Sequence, residues 1–216
     1  MCKMSYIELE NVSKKYKELE VLKDISLKIP KGSITTFEGV NGSGKTLLLK
    51  AILGLIRTSG TIKVNHQIVN VEDKYPVMAG ILIENPSILP FLSGFQNMKL
   101  LAELIPNFNY DEINQLLAQF GLLQAKDQQT KKYSLGMKQK LGIAQAFIGY
   151  PPLIVLDEPT NALDEESLAN LITFIKQVNQ EKQTTFLIAS HDKAFIKTLS
   201  TNRVKVKEGH TYEEMD

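Results

Sequence analysis

Eight consecutive residues, Gly39-Val40-Asn41-Gly42-Ser43-Gly44-Lys45-Thr46, carry the spacing G-x-x-x-x-G-K-[ST] in full. Each residue type has a physical reason to stand where it does. Gly39, Gly42 and Gly44, with Asn41 and Ser43 between them, let the backbone curl through φ values that other residues avoid. Its N–H groups then turn inward as a nest for an anion. A helix opening at the end of the loop adds its N-terminal amides to the same anion. Lys45 reaches β- and γ-phosphates as a point charge, and Thr46 offers a hydroxyl to Mg²⁺. The chemistry implied is capture of a nucleoside triphosphate with Mg²⁺, with hydrolysis of ATP as its expected use.

A second constellation lies far downstream. Leu153-Ile154-Val155-Leu156 is an apolar run that ends in two carboxylates, Asp157 and Glu158. Asp157, at the carboxyl end of such a strand, can hold Mg²⁺ through its water shell. Glu158 points elsewhere and can polarise an attacking water. Taken alone, the pair reads equally well as a cap between a strand and a helix. Placed downstream of the phosphate loop in this order of elements, it reads as catalytic.

These residues need a scaffold that brings strand ends together. Tyr6-Ile7-Glu8-Leu9 and Ile25-Ser26-Leu27-Lys28-Ile29 alternate at period two, the latter stopping at Pro30-Lys31-Gly32. Ser33 to Phe37 reads as the strand entering the loop, Thr46 to Ile56 as a buried helix, and Gly60 to Val64 as a returning strand. Ile81-Leu82-Ile83 is a short apolar run ending at Glu84. From Phe95 to Lys132 the leucines and isoleucines fall at helical spacing without a strand signal, which predicts a helical insertion over approximately 93–135. Leu153–Leu156 and Thr185–Ala189 read as parallel strands covered on both faces. The expected fold is α/β: a mostly parallel sheet flanked by helices, an N-terminal antiparallel β subdomain and the insertion, all within one domain spanning 1–216.

Composition bounds the function. Of 216 residues, 43% are hydrophobic and 23% charged, which is ordinary for a globular chain. Twenty-five basic residues against 24 acidic give a net charge of +1, without the basic excess that nucleic acid would demand. A lone cysteine, Cys2, cannot pair internally and reads as reducing surroundings. The N-terminal residues lack the apolar stretch of a leader, and no run of about 18 apolar residues appears. The expectation is a cytosolic chain, or one lying against a membrane through a partner.

With both constellations placed, further segments resemble the ATP-binding cassette (ABC) family in its order, over nearly the whole chain. Tyr133-Ser134-Leu135-Gly136-Met137-Lys138-Gln139-Lys140 resembles the family's signature, usually LSGGQ. Asn161-Ala162-Leu163-Asp164 resembles the D-loop and Ser190-His191-Asp192 the switch-histidine loop, and Tyr16 sits where the family stacks an aromatic ring on adenine. The resemblance implies a site shared between two copies, one supplying the phosphate loop and the other Ser134 and Gly136, which meet the γ-phosphate. It implies His191 at the γ-phosphate and attacking water, Asp164 communicating across the dimer, and an ATPase driving separately encoded transmembrane permease subunits from the cytoplasmic face of the membrane. Ile88, Leu89, Phe91 and Leu92 suit a groove for a permease helix, and equally suit packing of the insertion on the core.

Two departures from the family stand out. Leu135 and Met137 replace a glycine and a glutamine of the signature. Glu84 replaces a glutamine whose oxygen approaches the metal and the water, so Glu84 is expected at the metal with an added negative charge. Together they resemble the bacitracin- and lantibiotic-type export and immunity branch. The alternative is a soluble ABC ATPase acting on ribosomes or DNA. Such members carry tandem cassettes or a coiled-coil split, and neither is present.

Overall fold

A computed structural model describes residues 5–214; Cys2, on which the redox reading rests, lies outside them. In chain order the strands are β1 (Ser5–Tyr16), β2 (Leu19–Pro30), β3 (Ile34–Glu38), β4 (Ser59–Val64), β5 (Gln67–Ile68), β6 (Ala79–Leu82), β7 (Leu153–Asp157), β8 (Thr185–Ser190), β9 (Asn202–Lys207) and β10 (His210–Glu214). The α-helices are α1 (Lys45–Ile52), α2 (Gly94–Ala102), α3 (Asp111–Gln119), α4 (Leu135–Ala146), α5 (Glu165–Lys182) and α6 (Lys193–Leu199).

The strands form two sheets. An antiparallel sheet has the order β2-β1-β4-β5, and a six-stranded sheet has the order β10-β9-β3-β8-β7-β6. In the larger one β6, β7, β8, β3 and β9 run parallel, and β10 alone is antiparallel. Parallel strands point their carboxyl ends the same way, so the loops after β3, β6, β7 and β8 gather along one edge, where open α/β sheets bind ligands.

Burial on both faces hides the alternation of the central strands. Leu153, Val155, Leu187 and Ala189 enter a core beneath α1 and the antiparallel sheet. Ile154, Leu156, Phe186 and Ile188 enter a second core with residues of α2 to α6. In that second core the rings of Phe120, Phe147, Phe174 and Phe186 lie 4.8–6.1 Å apart, joining the insertion to α5 and the sheet.

The insertion leaves and returns at one place. Ser93 caps α2 in a reciprocal pair with Gln96 and bridges to Gln129, and the Thr130 and Lys131 N–H groups donate to Leu92 and Pro90 carbonyls at 2.9 Å each. Buried Asn97 secures the loop entering it, donating to the Ser93 carbonyl at 2.9 Å and the Leu89 carbonyl at 3.1 Å.

Two differences from the sequence-based expectation have physical reasons. The helix expected to reach Ile56 ends at Ile52, because Gly54 adopts φ +67° and turns the chain. The β9–β10 hairpin was not foreseen: its Val-Lys alternation is that of an edge ribbon with one face in water.

Candidate functional site

The phosphate loop joins β3 to α1. Gly42 and Gly44 take φ +79° and +110°, conformations closed to most side chains. Lys45 is buried, and its ammonium donates to the Gly39 carbonyl at 2.6 Å and the Val40 carbonyl at 3.2 Å. The loop is supported from below by the β9–β10 turn, where the Gly209 N–H donates to the Ser43 carbonyl at 3.1 Å. An open cleft of about 310 Å³ lies over the loop, with Glu158 on its wall.

Asp157 and Glu158 close on this loop from the end of β7. Asp157 is 3% exposed; its Oδ2 accepts the Thr46 hydroxyl at 2.8 Å and the Glu84 N–H at 3.4 Å. Burial pushes the Asp157 carboxyl up from its ordinary range, and the nearby Glu158 adds to that. The bonds from Thr46 and Glu84, and the charge of Lys45, pull the other way. Glu158 sits at φ +47°, a conformation costing about 1–3 kcal/mol for a residue with a side chain. Its Oε1 lies 3.3 Å from Lys45 Nζ and its Oε2 2.8 Å from His191 Nδ1.

Ser43 Oγ and Asp157 Oδ1 are buried without a hydrogen-bond partner. Such orphans cost about 1–3 kcal/mol each unless something bound satisfies them. Around one cleft stand a hydroxyl and a carboxylate, donors suited to a hard divalent cation, and a lysine with helix-terminal amides, suited to phosphates. The residues present fit ATP with Mg²⁺.

The structure thus brings Lys45, Thr46, Asp157, Glu158 and His191 together. It turns the signature residues elsewhere. Ser134 caps α4, accepting the Met137 N–H at 3.2 Å, and Ser134 and Leu135 are exposed. Gly136 packs on its own D-loop: a Cβ there would stand 2.8 Å from the Ala162 carbonyl oxygen. Asp164 caps α5, accepting the Ser167 N–H at 2.8 Å, and lies 3.9 Å from Lys140 Nζ. The bonds from Ser167, assisted by Lys140, hold its carboxyl below the ordinary aspartate range. Tyr16 ends β1 half-exposed, with the Lys14 ammonium 4.9 Å from its ring centroid. One face of the ring meets a cation, which enhances its electrostatic attraction.

Glu84 is split between two partners. Its backbone N–H meets Asp157, but its carboxylate is ion-paired with Lys50 Nζ at 2.7 Å and the side chain is 60% exposed. The apolar residues that follow divide as well. Leu89 and Phe91 are exposed, whereas Ile88 packs on the helical core.

Three contributors escaped sequence reasoning. Lys50 carried no motif signal. Gln139, buried on α4, donates to the carbonyls of Glu158 and Pro159 at 3.4 and 3.3 Å, bracing the strained turn that bears Glu158. The Gly209 turn was lost with its hairpin. Gln139 lies in the segment read as a signature, and a glutamine amid an apolar helix face was the available clue.

A family model described as "ABC transporter" matches residues 22–161. The chain is 37% identical to an uncharacterized ABC transporter ATP-binding protein, YybJ of Bacillus subtilis, over 94% of its own length and 93% of the relative's. It is 36% identical to the bacitracin transport ATP-binding protein BcrA of Enterococcus faecalis, covering 97% of this chain and 69% of that one. With the lantibiotic transport ATP-binding protein SrtF of Streptococcus pyogenes it shares 34% identity, over 86% and 80% of the two chains. Among solved structures, the dimeric MJ0796, described as a bacterial ABC transporter cassette, superposes with a TM-score of 0.89 at 25% identity, covering 96% of this chain and 97% of that one. These matches agree with the α/β P-loop fold and do not favour the ribosome- or DNA-directed alternative. The phosphate loop, the paired carboxylates and these likenesses converge: the chain belongs to the ABC transporter family, as an ATP-binding subunit that hydrolyses ATP with Mg²⁺.

Proposed function

We propose that this subunit powers export of an antimicrobial peptide or drug. Two copies enclose ATP between the phosphate loop of one and the signature of the other, and separately encoded permease subunits hold the pair at the cytoplasmic face of the membrane. The observation that carries this reading is the division of the site. Lys45, Thr46 and Glu158 line one cleft, with Asp157 bonded to Thr46 and His191 to Glu158, while Ser134 and Leu135 are exposed at the N-terminus of α4, where a second copy can use them. The export assignment draws on relatives named for bacitracin and lantibiotic transport. The whole chain acts as one nucleotide-binding domain, with the segment at approximately 93–135 as its helical arm.

Within this reading each residue has a task. The loop amides and Lys45 bind the phosphates, and Tyr16 stacks on the base. Thr46 and Asp157 hold Mg²⁺, which when bound neutralises phosphate charge and polarises the terminal phosphoryl group. Glu158 takes a proton from the attacking water; the turn at φ +47° and the grip of Gln139 fix its direction. His191 orients Glu158 and meets the γ-phosphate. Ser134 and the Gly136 N–H contact the γ-phosphate on the other copy, aided by the positive end of α4. Asp164 sets the D-loop against the second copy. Exposed Leu89 and Phe91, with Leu100 and Leu104 on and just after α2, receive a permease helix. Among the described residues no helix is long and apolar enough to cross a membrane.

Mixing two inactive variants tests the shared site. Lys45→Ala retains its signature, and Ser134→Arg retains its phosphate loop. Together they rebuild one complete site per heterodimer, so ATPase activity returns on mixing to about half the wild-type rate per heterodimer. Absence of recovery, with each variant folded, would sink the two-copy site. For the permease, Phe91→Glu should leave the isolated chain's ATPase intact and abolish co-purification with the permease subunits captured by the wild-type chain.

A further inference from the structure

Thr46 and Lys50 stand one turn apart on α1, so their side chains share the face turned toward β7 and the loop after β6. Thr46 donates to Asp157 Oδ2 at 2.8 Å, and Lys50 Nζ lies 2.7 Å from Glu84 Oε1. Glu84 therefore touches the metal-site carboxylate only through its backbone N–H, at 3.4 Å, while its own charge is engaged one helical turn away. Its φ of +60° is a conformation that residues with side chains rarely adopt, and it fits a loop position shaped by both contacts.

We infer that Lys50 is a positioning residue for Glu84: it holds the carboxylate outward and neutralised, and so sets how much of that charge a divalent cation at Thr46 and Asp157 receives. A glutamine at position 84 would need no such partner. A glutamate there adds a third anion to the neighbourhood of Asp157 and Glu158, and like charges raise the cost of one another. One lysine reaching from the next turn of the phosphate-loop helix offsets it. The pair is exchangeable, because its two side chains are 25% and 60% exposed and exposed pairs are weak. A divalent cation can compete for the carboxylate, and Glu84 then has two seats, one on Lys50 and one at the metal. This inference rests on the proposed metal role of Thr46 and Asp157.

The test is a double-mutant cycle read as Mn²⁺ affinity, by electron paramagnetic resonance, on the full chain with a non-hydrolysable ATP analogue. Removing the partner in Lys50→Met should tighten Mn²⁺ by up to about fivefold when Glu84 is present, the limit set by the strength of an exposed pair. The same change in a Glu84→Gln background should tighten it much less, and Lys50→Arg should keep the wild-type affinity. Equal shifts in both backgrounds would show Lys50 acting as a bare positive charge and overturn the inference, as would no shift at all. Asp157→Asn separates the two levels. If it binds Mn²⁺ as well as wild type, the metal site itself falls and the role of Lys50 with it. If it loses Mn²⁺ and the cycle shows no coupling, only the role of Lys50 falls.

Discussion

Glu158 Oε2 lies 2.8 Å from His191 Nδ1, and because an ionised carboxylate only accepts, the shared proton belongs to the imidazole. That assignment leaves His191 Nε2 free to meet another group. The other carboxylate oxygen faces Lys45 at 3.3 Å, so the same glutamate joins the lysine of the glycine-rich loop to the histidine just after β8.

Replacing that glutamate by glutamine keeps the shape and one acceptor oxygen but removes the proposed base. Glu158→Gln should bind ATP with near wild-type affinity and lose about 10²–10⁴-fold in turnover, the usual contribution of a general base. It should also accumulate as an ATP-bound dimer on size-exclusion chromatography. Hydrolysis at the wild-type rate would remove Glu158 from that role.

Lys45 bonds two carbonyls of its own loop, so its loss removes both a charge and a brace. Lys45→Ala should abolish binding of a fluorescent ATP analogue while leaving the melting temperature within a few degrees. Retained affinity contradicts the assignment.

At Gly136 two effects oppose. Alanine gains helix propensity, up to about 1 kcal/mol. Its Cβ, however, would press on the Ala162 carbonyl from 2.8 Å and shift the D-loop. Gly136→Ala should therefore change thermal stability little and weaken ATP-driven dimerisation by about tenfold or more. A variant that dimerises normally would show that the close approach is incidental.

Glu112 supplies a pH test away from the site. Its Oε1 accepts the Gly149 N–H at 2.7 Å, and burial raises its carboxyl above the ordinary range, partly countered by that bond and by Lys182. A raised carboxyl contributes stability that is fully present below its unfolded value near 4.5 and is lost as pH rises through the folded value. Glu112→Gln keeps the acceptor oxygen and cannot ionise. Its melting temperature relative to wild type should climb between pH 4 and pH 8; a flat difference would refute the linkage.

Much of this was legible in the sequence because backbone geometry dictates residue type. The loop at Gly39–Thr46 admits few substitutes, and a run such as Leu153–Leu156 ending in carboxylates has few homes other than the carboxyl edge of a buried sheet. What escaped was of another kind. Lys50 and Glu84 are 34 residues apart and form a pair only after α1 and β6 are packed. Gln139 matters for two carbonyls that no motif mentions. Asp164 stood out in the sequence for its resemblance to a D-loop acid but not as the cap of α5, since the same carboxylate serves either purpose until the helix start is seen.

The narrow neck of the insertion gives the molecule a fulcrum. Leu92 and Pro90 on the way in are hydrogen-bonded to Thr130 and Lys131 on the way out, and Ser134 follows only three residues later. Leu89 and Phe91 belong to the entering side of that neck, and the first turn of α4 comes just after the leaving side. A push delivered at Leu89 or Phe91 would meet this handful of short bonds rather than a slack loop. Lengthening either strand of the neck by a few glycines would uncouple the two ends of this crowbar while leaving each end chemically intact.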